Sequence, residues 1–342
     1  NKPVESPPLI GEESHKLILS KRLDYRWLDV RNLRNIQIFM FKAWVKDKFR
    51  EFFKSQGFVE IFTPRIVGTA TEGGAEVFSI IYFDKPAFLA QSPQFYKQFA
   101  VIAGLERVFE IGPVFRAEKH HTIRHLTEYH SMDIEVGFIS SYEDVMNFVE
   151  GFIRYLIERL YKDEAVESIV ENFNIEVRLP KRIPRLTMRE VYKILKNEFG
   201  KEIKYGDDLD TEGERLLGEY VRREYDSDFV FVTEYPWAVR PFYTMRKEDE
   251  PEWTYSFDLL YKGLEIATGG QREHRYEELL RNLNEKGLPQ KSFMYYLNFF
   301  KHGAPPHGGA GLGLERIVMQ TLSLKNIREA RLLPRDPERL LP

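Results

Sequence analysis

Charged side chains are dense in one short stretch of the sequence, RAEKHHTIRHLTEY at residues 116–129. If this stretch joins two strands as a hairpin, Arg116, Arg124 and His125 lie on or near one surface, where guanidinium groups can bind phosphate oxygens in bidentate fashion. Tyr129 adds a ring on which a planar base can stack. The alternative is a solvated hairpin with ordinary surface ion pairs, and this stretch alone favours neither interpretation.

The hairpin interpretation also predicts which residues share a face. Side chains two positions apart in a strand point to the same side of a sheet, so we expect Arg116 and Glu118 to share one face of the first strand. By the same rule Thr127 and Tyr129 share one face of the second strand.

Oxygen-bearing side chains recur in a second stretch, SFDLLYKGLEIATGGQREHR. Asp258 and Glu265 lie on a strand-like segment that can contain a turn, and the hydroxyl of Thr268 follows. Two carboxylates and a hydroxyl suit Mg²⁺, which takes oxygen ligands and bridges to substrate phosphates. The alternative is an acidic strand in which the pair Gly269 and Gly270 merely forms a bulge.

A third stretch, PPHGGAGLGLERIVM, has four glycines before a helix-like run. Glycines there would let backbone and substrate approach closely at a helix N-terminus, and Arg316 could reach a phosphate. The pattern is weak by itself, because it follows no strand of a βαβ unit and lacks the Lys-Ser/Thr of a P-loop.

Hydrophobic periodicity predicts the elements that position these residues. Apolar residues recur every three or four positions from Asn32 to Gln56, which predicts a long amphipathic helix with Gly57 as its C-cap. Strands are predicted in FVEIFTPRI, AFLAQ, RVFEIGPVFRAE, TEYHSMDIEVGFI and DFVFVTEY, and further helices at 142–162, 187–199, 276–286 and 291–300. Strands separated by long insertions, with helices bunched between them, predict an α+β fold with a mainly antiparallel sheet flanked by helices.

Composition limits the function classes. The 342 residues are 43% hydrophobic and carry a formal net charge of -3, so any nucleic-acid partner must be bound by a local basic surface. The sequence has no cysteine, which excludes disulfides and thiolate metal sites. It has no apolar run long enough to span a bilayer and no segment resembling a signal peptide, so we expect no membrane association and a cytoplasmic location.

Together the stretches resemble the motifs of the class II aminoacyl-tRNA synthetases. GFVEIFTP, ending at Pro64, resembles motif 1, which helps to form the dimer interface in the family; FRAEKHHTIRHLTEY resembles motif 2 and GGAGLGLERI resembles motif 3. The class I signatures HIGH and KMSKS do not occur. The resemblance runs from about Lys21 to Pro342 and is most specific to the subgroup that activates aspartate, asparagine or lysine. QSPQFYKQ and GLEIATGGQREHR look most like its archaeal-type aspartate-activating members.

This resemblance implies a site for ATP. Arg116 would hold the α-phosphate as charge develops on it, Glu118 would contact adenine, and Tyr129 would stack on the base where many relatives have Phe. His125 and Arg316 would hold the γ-phosphate, with Arg124 on the same cationic surface.

The resemblance also implies a magnesium site. Asp258 and Glu265 would organise Mg²⁺ and the nucleotide, and Thr268 would stand where relatives commonly have serine. The threonine keeps the hydroxyl and adds a methyl group.

An amino-acid pocket is implied as well. Arg272 and Lys97 would bind the side-chain carboxylate of aspartate, Gln94 and Ser92 would lie near its backbone end, and Glu72 would close over the ammonium group. An asparagine amide would leave Lys97 without a charged acceptor, so the pair favours aspartate over asparagine.

The implied function is activation of L-aspartate by ATP and transfer to the 3′ end of tRNA, with residues 119–123 contacting the acceptor end and a homodimer formed through motif 1. The sequence also resembles a form of these enzymes that attaches aspartate to both the aspartate tRNA and the asparagine tRNA. Alternatives are a truncated paralog that makes asparagine from aspartate, ATP and ammonia, and an asparagine-activating synthetase. A purely regulatory module is disfavoured, because the implied ATP, metal and aspartate ligands are all present.

The domain prediction has two parts. Residues 1–30 resemble the linker that follows an N-terminal OB-fold anticodon-binding barrel, and residues 31–342 form the catalytic domain. About 163–228 is predicted to be an insertion whose role the sequence does not reveal. We therefore expect the chain to be a catalytic core separated from that barrel.

Overall fold

The computed structural model describes residues 17–69, 76–119 and 122–341. Within these residues an eight-stranded sheet runs in the order β1-β5-β6-β11-β10-β9-β8-β7, and a three-stranded sheet runs in the order β2-β4-β3. The strands are β1 Val59–Glu60, β2 Ile66–Val67, β3 Ser79–Tyr82, β4 Lys85–Leu89, β5 Arg107–Phe115, β6 Glu128–Gly137, β7 Arg185–Thr187, β8 Phe229–Thr233, β9 Ser256–Tyr261, β10 Leu264–Arg272 and β11 His307–Gly313.

The large sheet is antiparallel except at its two edges, where β1 pairs in parallel with β5 and β7 pairs in parallel with β8. Helices cover it: α1 Leu19–Asp24, α2 Arg26–Asp29, α3 Leu33–Ser55, α4 Gln94–Ala100, α5 Tyr142–Leu160, α6 Glu167–Phe173, α7 Met188–Phe199, α8 Thr211–Tyr225, α9 Tyr276–Glu285, α10 Gln290–Asn298 and α11 Leu314–Thr321. The predicted α+β fold is confirmed. Each helix that the structure describes is too short or too polar to span a bilayer.

The long helix α3 forms where its apolar spacing predicts it. The Asn32 side chain caps its first turn by accepting the Arg34 N–H at 2.9 Å, and Gly57 follows its end with a φ of 79°. Its apolar face is buried against α5 and the large sheet in one continuous core. Burial of that face, rather than helix propensity, holds α3 in place.

The predicted insertion at about 163–228 packs on the far edge of the large sheet. It contributes α6, which joins the main core, and β7, α7 and α8; a second apolar core lies between α7, α8 and strands β7, β8 and β9. A capping box between Thr187 and Glu190 starts α7, and Gly200, with a φ of 67°, ends it. The segment is therefore continuous with the main sheet.

The first described residues pack against the C-terminal segment. Arg26 is 1% exposed and donates hydrogen bonds to the backbone carbonyls of Glu329 at 2.9 Å and of Arg331 and Leu332 at 3.1 Å. Residues 1–16 of the predicted linker lie outside the described residues, and the rest of it, up to residue 30, is folded onto the catalytic domain.

Two local predictions need correction. Strand β5 ends at Phe115, so Arg116 and Glu118 lie beyond the strand and the two-residue period does not apply to them. The Arg116 N–H still donates to the Thr127 carbonyl at 2.9 Å, which keeps the two chain segments together. In FVEIFTPRI only Val59–Glu60 and Ile66–Val67 pair as strands, since the chain changes sheets around Pro64.

Candidate active site

One cavity of about 390 Å³ opens over the middle of the large sheet. Strands β6, β9, β10 and β11, helix α4 and the start of α11 all contribute to its walls. It brings together nearly all of the predicted site residues: Ser92, Gln94, Lys97, Arg116, Glu118, Arg124, His125, Tyr129, Asp258, Glu265, Thr268, Arg272 and Arg316. Glu72 lies outside the described residues, as do residues 120 and 121 of the predicted tRNA contact.

At one end of the cavity two cations share buried carboxylates. Lys97 Nζ lies 3.0 Å from Asp133 Oδ1 and 3.4 Å from Glu135 Oε2, and Arg272 Nε donates to Glu135 Oε1 at 3.1 Å. Burial alone would raise the pKa of Glu135, but Arg272 and Lys97 outweigh that effect and hold the pKa below its ordinary value. This end of the cavity, where we expect the amino acid to bind and which we call the amino-acid half, is thus a buried, charged network; the other end is called the nucleotide half.

Helix α4 positions Lys97 through a second buried network. Gln94 Nε2 donates to Gln98 Oε1 at 3.0 Å, and Gln98 Nε2 lies 2.9 Å from His307 Nε2. The Tyr296 hydroxyl also donates to Gln98 Oε1, at 3.1 Å. Because every group in this network is buried, α4 has little freedom to turn Lys97 away from the cavity.

Sequence reasoning missed the acids of β6. Asp133 and Glu135 alternate with the buried apolar residues Met132, Ile134 and Val136. Two carboxylates on the same face of a central strand require buried cations, so this alternation was the signal that could have revealed them.

The glycines of the third stretch lie just before a helix, as predicted, but they belong to a strand. Gly308, Gly309 and Gly311 lie in β11, a central strand between β6 and β10, and its last residue, Gly313, is the N-cap of α11. A Cβ on Gly309 would sit 2.0 Å from Glu135 Oε2. Glycine is therefore needed there to make room for the carboxylate that binds Arg272.

At the other end of the cavity Arg316 lies in the first turn of α11. Its Nη1 donates to the Glu265 carbonyl at 2.8 Å and lies 3.3 Å from Glu265 Oε2. His125 lies nearby, with Nδ1 2.6 Å from Thr122 Oγ1. Burial and the neighbouring charges of Arg316 and Arg124 lower the pKa of His125 to about 4, so at neutral pH it can donate a hydrogen bond to a phosphate but adds no charge.

Arg124 is held by the predicted insertion. Its Nη2 lies 2.7 Å from Glu214 Oε1 on α8, and Glu214 Oε2 accepts the Glu265 N–H at 3.2 Å. Burial raises the pKa of Glu214 to about 7 although Arg124 opposes the shift. Sequence reasoning missed Glu214, because nothing in the sequence shows that α8 packs beside the hairpin of β9 and β10.

The candidate metal ligands lie on that hairpin, which turns at Lys262 and Gly263. Asp258 and Thr268 are direct cross-strand partners, and Glu265 lies at a bulge in β10. The bulge therefore lies between Glu265 and Ala267, and not at Gly269 and Gly270, which pair regularly with β9. Burial raises the pKa of Asp258 to about 6 against the lowering effect of its neighbour Arg240.

These three oxygen-bearing side chains suit Mg²⁺ better than a metal ion whose ligands all come from the protein. In residues 17–69, 76–119 and 122–341 no three His, Cys, Asp or Glu side chains are grouped to hold a metal ion. Mg²⁺ commonly takes one or two carboxylates and completes its shell with water and substrate phosphates. Asp258, Glu265 and Thr268 supply that kind of set.

Glu315 anchors this half from behind. It is 1% exposed, with Oε1 2.6 Å from Lys42 Nζ and Oε2 accepting the His130 N–H at 3.0 Å. Burial would raise the pKa of Glu315, but Lys42 and His130 lower it to about 2. Since Glu315 precedes Arg316 and His130 follows Tyr129, this contact fixes the spacing between a cationic and an aromatic wall of the cavity.

Fold and cavity together define a class: a protein with a mainly antiparallel sheet whose central cavity has several arginines at one end and a buried lysine–arginine pair at the other. The chain belongs to the class II tRNA synthetases of the D, K and N group, whose sequence model matches residues 19–337. The family expected from the motifs is confirmed.

Curated relatives cover nearly the whole chain. A protein of Aeropyrum pernix named aspartate–tRNA(Asp/Asn) ligase is 66% identical over an alignment of 342 positions that covers 99% of this chain and 77% of that protein. The aspartate–tRNA(Asp) ligase of Pyrococcus abyssi is 49% identical over 336 residues, 98% of this chain and 76% of that protein.

Solved structures share the fold. Asparaginyl-tRNA synthetase from Pyrococcus horikoshii, complexed with asparaginyl-adenylate, has a TM-score of 0.89 and 35% identity, covering 96% of this chain and 75% of that one. The aspartyl tRNA synthetase from Entamoeba histolytica has a TM-score of 0.86 and 38% identity, covering 95% and 64%. The fold is thus common to aspartate and asparagine enzymes, and the choice between them must come from the cavity.

Proposed function

We propose that this chain activates L-aspartate with ATP to form aspartyl-adenylate and transfers the aspartyl group to the 3′ end of tRNA. One observation carries the proposal: Lys97 and Arg272 lie buried in the same cavity as Arg116 and Arg316. The cavity therefore offers one anion site for a small carboxylate and another for a polyphosphate. The names of the relatives from Aeropyrum and Pyrococcus support the same function.

The choice of aspartate follows from the charges in the amino-acid half. Lys97 and Arg272 bring two positive charges, and Asp133 and Glu135 are already within 3.4 Å of them. A substrate carboxylate would share these donors with Asp133 and Glu135, whereas an asparagine amide offers one acceptor and two donors that neither cation can accept. A buried donor left unpaired disfavours the amide strongly. Ser92 and Gln94, at the start of α4, would bind the backbone end of the substrate.

ATP would occupy the other half. Tyr129 would stack on adenine, Glu118 would accept from its amino group, and Arg116 would neutralise the α-phosphate. Arg316, Arg124 and the neutral His125 would bind the terminal phosphates. Asp258, Glu265 and Thr268 would hold Mg²⁺, which supplies charge neutralisation for the departing pyrophosphate.

The reaction needs positioning more than acid–base chemistry. An oxygen of the aspartate α-carboxylate attacks the α-phosphorus, the bond to the β-phosphate oxygen breaks, and pyrophosphate leaves with that electron pair. Arg116 would stabilise the charge that grows on the α-phosphate. The ribose hydroxyl of tRNA then attacks the carbonyl of the mixed anhydride and AMP leaves. No enzyme nucleophile is required.

We further propose that the chain acts on both the aspartate and the asparagine tRNA. The relative with 66% identity is named for both tRNAs, whereas the relative with 49% identity is named for the aspartate tRNA alone. Residues 119–123 are the proposed contact to the acceptor end.

A homodimer through motif 1 remains our proposal. Exposed apolar side chains on α3, in motif 1 and just after it support the proposal: Ile36, Met40, Phe62 and Ile66. A cytoplasmic location also remains a prediction.

Exchange of labelled pyrophosphate into ATP tests the activation step without tRNA. We expect exchange that depends on aspartate and Mg²⁺ and is much weaker with asparagine or lysine. Faster exchange with asparagine would refute the substrate assignment. Release of free asparagine when ammonia is supplied would instead favour the paralog alternative.

Charging assays test the tRNA proposal separately. Transcripts of the aspartate and asparagine tRNAs are offered at equal concentration with labelled aspartate, and both should be charged. Charging of the aspartate tRNA alone would leave the activation proposal intact and refute the relaxed choice.

A further inference from the structure

Arg240 is the cavity cation that neither the motifs nor the proposed mechanism uses. It follows the short 3₁₀ turn Trp237–Val239 and lines the cavity between the two halves. Its side chain is 11% exposed, and its guanidinium carbon lies 3.8 Å from the centre of the Tyr235 ring. An arginine that is buried and stacked in this way has few orientations open to it.

The guanidinium group connects both strands of the metal-ligand hairpin. Nη2 lies 2.8 Å from Asp258 Oδ1 on β9, and Nη1 donates to Thr268 Oγ1 at 3.2 Å on β10. Asp258 and Thr268 are the cross-strand pair that we assign to Mg²⁺. One side chain therefore contacts two of the three candidate ligands, one through an ion pair and the other through a hydrogen bond.

We propose that Arg240 is a positioning residue for the metal site: it holds Asp258 and Thr268 so that their remaining oxygen sites face the magnesium ion and the triphosphate. This inference rests on the proposed function. A carboxylate has two oxygens and a hydroxyl has two lone pairs, so both groups can keep Arg240 and still bind a metal. Groups that orient metal ligands from behind commonly change metal affinity by about 10- to 100-fold when they are replaced.

A competing role is also physically sound. Arg240 carries a positive charge beside Asp258, Glu265 and Asp208, so it could instead occupy the place of the ion and hinder metal binding. The geometry favours the positioning role, because the guanidinium group contacts the Tyr235 ring, Asp258 and Thr268 at the same time. The two roles predict opposite changes when Arg240 is removed.

The test compares two ligands of the same cavity in Arg240→Met. The first is a non-hydrolysable ATP analogue, titrated by calorimetry at increasing Mg²⁺. The second is a sulfamoyl analogue of aspartyl-adenylate, which lacks the β- and γ-phosphates and needs no metal. We expect the Mg²⁺ concentration for half-saturation with the ATP analogue to rise about 10- to 100-fold. Affinity for the adenylate analogue should change by about threefold or less.

Two further variants sharpen the result. Arg240→Lys keeps the positive charge but lacks the planar guanidinium group that reaches Asp258 and Thr268 together. Its Mg²⁺ concentration for half-saturation should therefore lie between those of the unsubstituted chain and Arg240→Met. Arg246→Met is the matched control: Arg246 also lies over an aromatic ring, Trp237 at 5.0 Å, and pairs with Glu285, but it does not line the cavity. It should leave both affinities unchanged.

Three outcomes would overturn the proposal. Tighter binding of Mg²⁺ by Arg240→Met would show that Arg240 competes with the ion. Equal loss of affinity for both analogues would show general damage to the cavity. If the unsubstituted chain binds both ligands and Arg240→Met shows the same Mg²⁺ dependence, only the positioning role of Arg240 is refuted. If the unsubstituted chain binds neither ligand, the proposed function is refuted as well.

Discussion

The two halves of the cavity hold their charges in different ways. In the amino-acid half Lys97, Arg272 and Glu135 are 2%, 6% and 0% exposed, and the cations share buried carboxylates. In the nucleotide half the side chains of Arg316 and Glu265 are 18% and 31% exposed. The amino-acid half is fully buried, whereas the pair of Arg316 and Glu265 in the nucleotide half is open enough for a ligand to separate.

This difference has an energetic consequence. A charge deep in the core cannot lose its partner without a large penalty, because the remaining charge has no water around it. A partly exposed pair contributes little to stability, since water replaces the missing partner. We therefore expect substitutions in the amino-acid half to reduce both activity and stability, and most substitutions in the nucleotide half to reduce ATP use alone.

The largest effect is expected for Arg272→Ala. Loss of the guanidinium removes a contact to the substrate carboxylate and leaves Glu135 with Lys97 alone, so aspartate-dependent exchange should fall about 1000-fold and the free energy of unfolding by about 3–5 kcal/mol. Pyrophosphate exchange and urea unfolding measure the two effects. A variant with lost activity but unchanged stability would contradict the idea that this half belongs to the core.

Lys97→Met should have the next largest effect. Kcat/KM for aspartate should fall about 100-fold, because a buried charge pair with the substrate is lost. Asparagine, which gains nothing from the ammonium charge, should be affected much less, so the preference for aspartate should shrink. Exchange assays with both amino acids measure the ratio. An unchanged ratio of aspartate to asparagine activity would show that Lys97 only pairs with Asp133 and does not distinguish the two substrates.

The sequence predicted the cations of the site better than their partners. Arg116, Arg272 and Arg316 stand in recognisable motifs, and the resemblance assigned each of them to the site. Glu214 could not be found, because it comes from a segment without a motif and reaches Arg124 only through the packing of α8. Arg240 stands in WAVRPFY, which resembles a segment bordering the active site in relatives, but the sequence did not show its contacts with Asp258 and Thr268. Long-range pairing across a sheet leaves no local pattern in the sequence.

The fold shows the same division between local and long-range signals. Helix α3 and strands β5 and β6 follow their hydrophobic periods, so their positions were predictable within a few residues. The place of the glycines in β11 was not, because glycine has low strand propensity and is selected there by the approach of Glu135 from the neighbouring strand.

Glu315→Gln tests the one deeply buried anchor behind the nucleotide half. With a pKa of about 2 in the fold, this carboxylate contributes stability above its ordinary pKa of 4.5 and loses it as the pH falls towards 2. The variant should therefore lose about 3 kcal/mol of unfolding free energy at pH 7, and the difference from the unsubstituted chain should shrink below pH 4. Urea unfolding at several pH values measures this, and a difference independent of pH would point to lost packing and not to charge.

Arg316→Ala should separate binding from stability. The KM for ATP should rise about 10- to 100-fold, since a charge-assisted contact to phosphate is lost. The free energy of unfolding should change by less than about 1 kcal/mol, because the pair with Glu265 is partly exposed. Binding of an adenylate analogue without the terminal phosphates serves as the control. If that binding falls as much as ATP use, Arg316 supports the whole cavity and not the phosphates alone.

The smallest effect is expected for His125→Asn, and its sign distinguishes a neutral from a charged imidazole. A pKa of about 4 in the fold, against 6.5 ordinarily, means that the unfolded chain takes up a proton first as the pH falls. His125 should therefore destabilise the fold between pH 6.5 and 4 and have no such effect above pH 6.5. Between pH 7 and 5 the unsubstituted chain should lose about 1 kcal/mol more unfolding free energy than the asparagine variant. This value is reduced to allow for the partial exposure of the imidazole ring. A histidine NMR titration with a midpoint above about 7.5 would show a charged imidazole at physiological pH, and the positive charge proposed to bind the phosphates would then come from four side chains and not from the arginines alone.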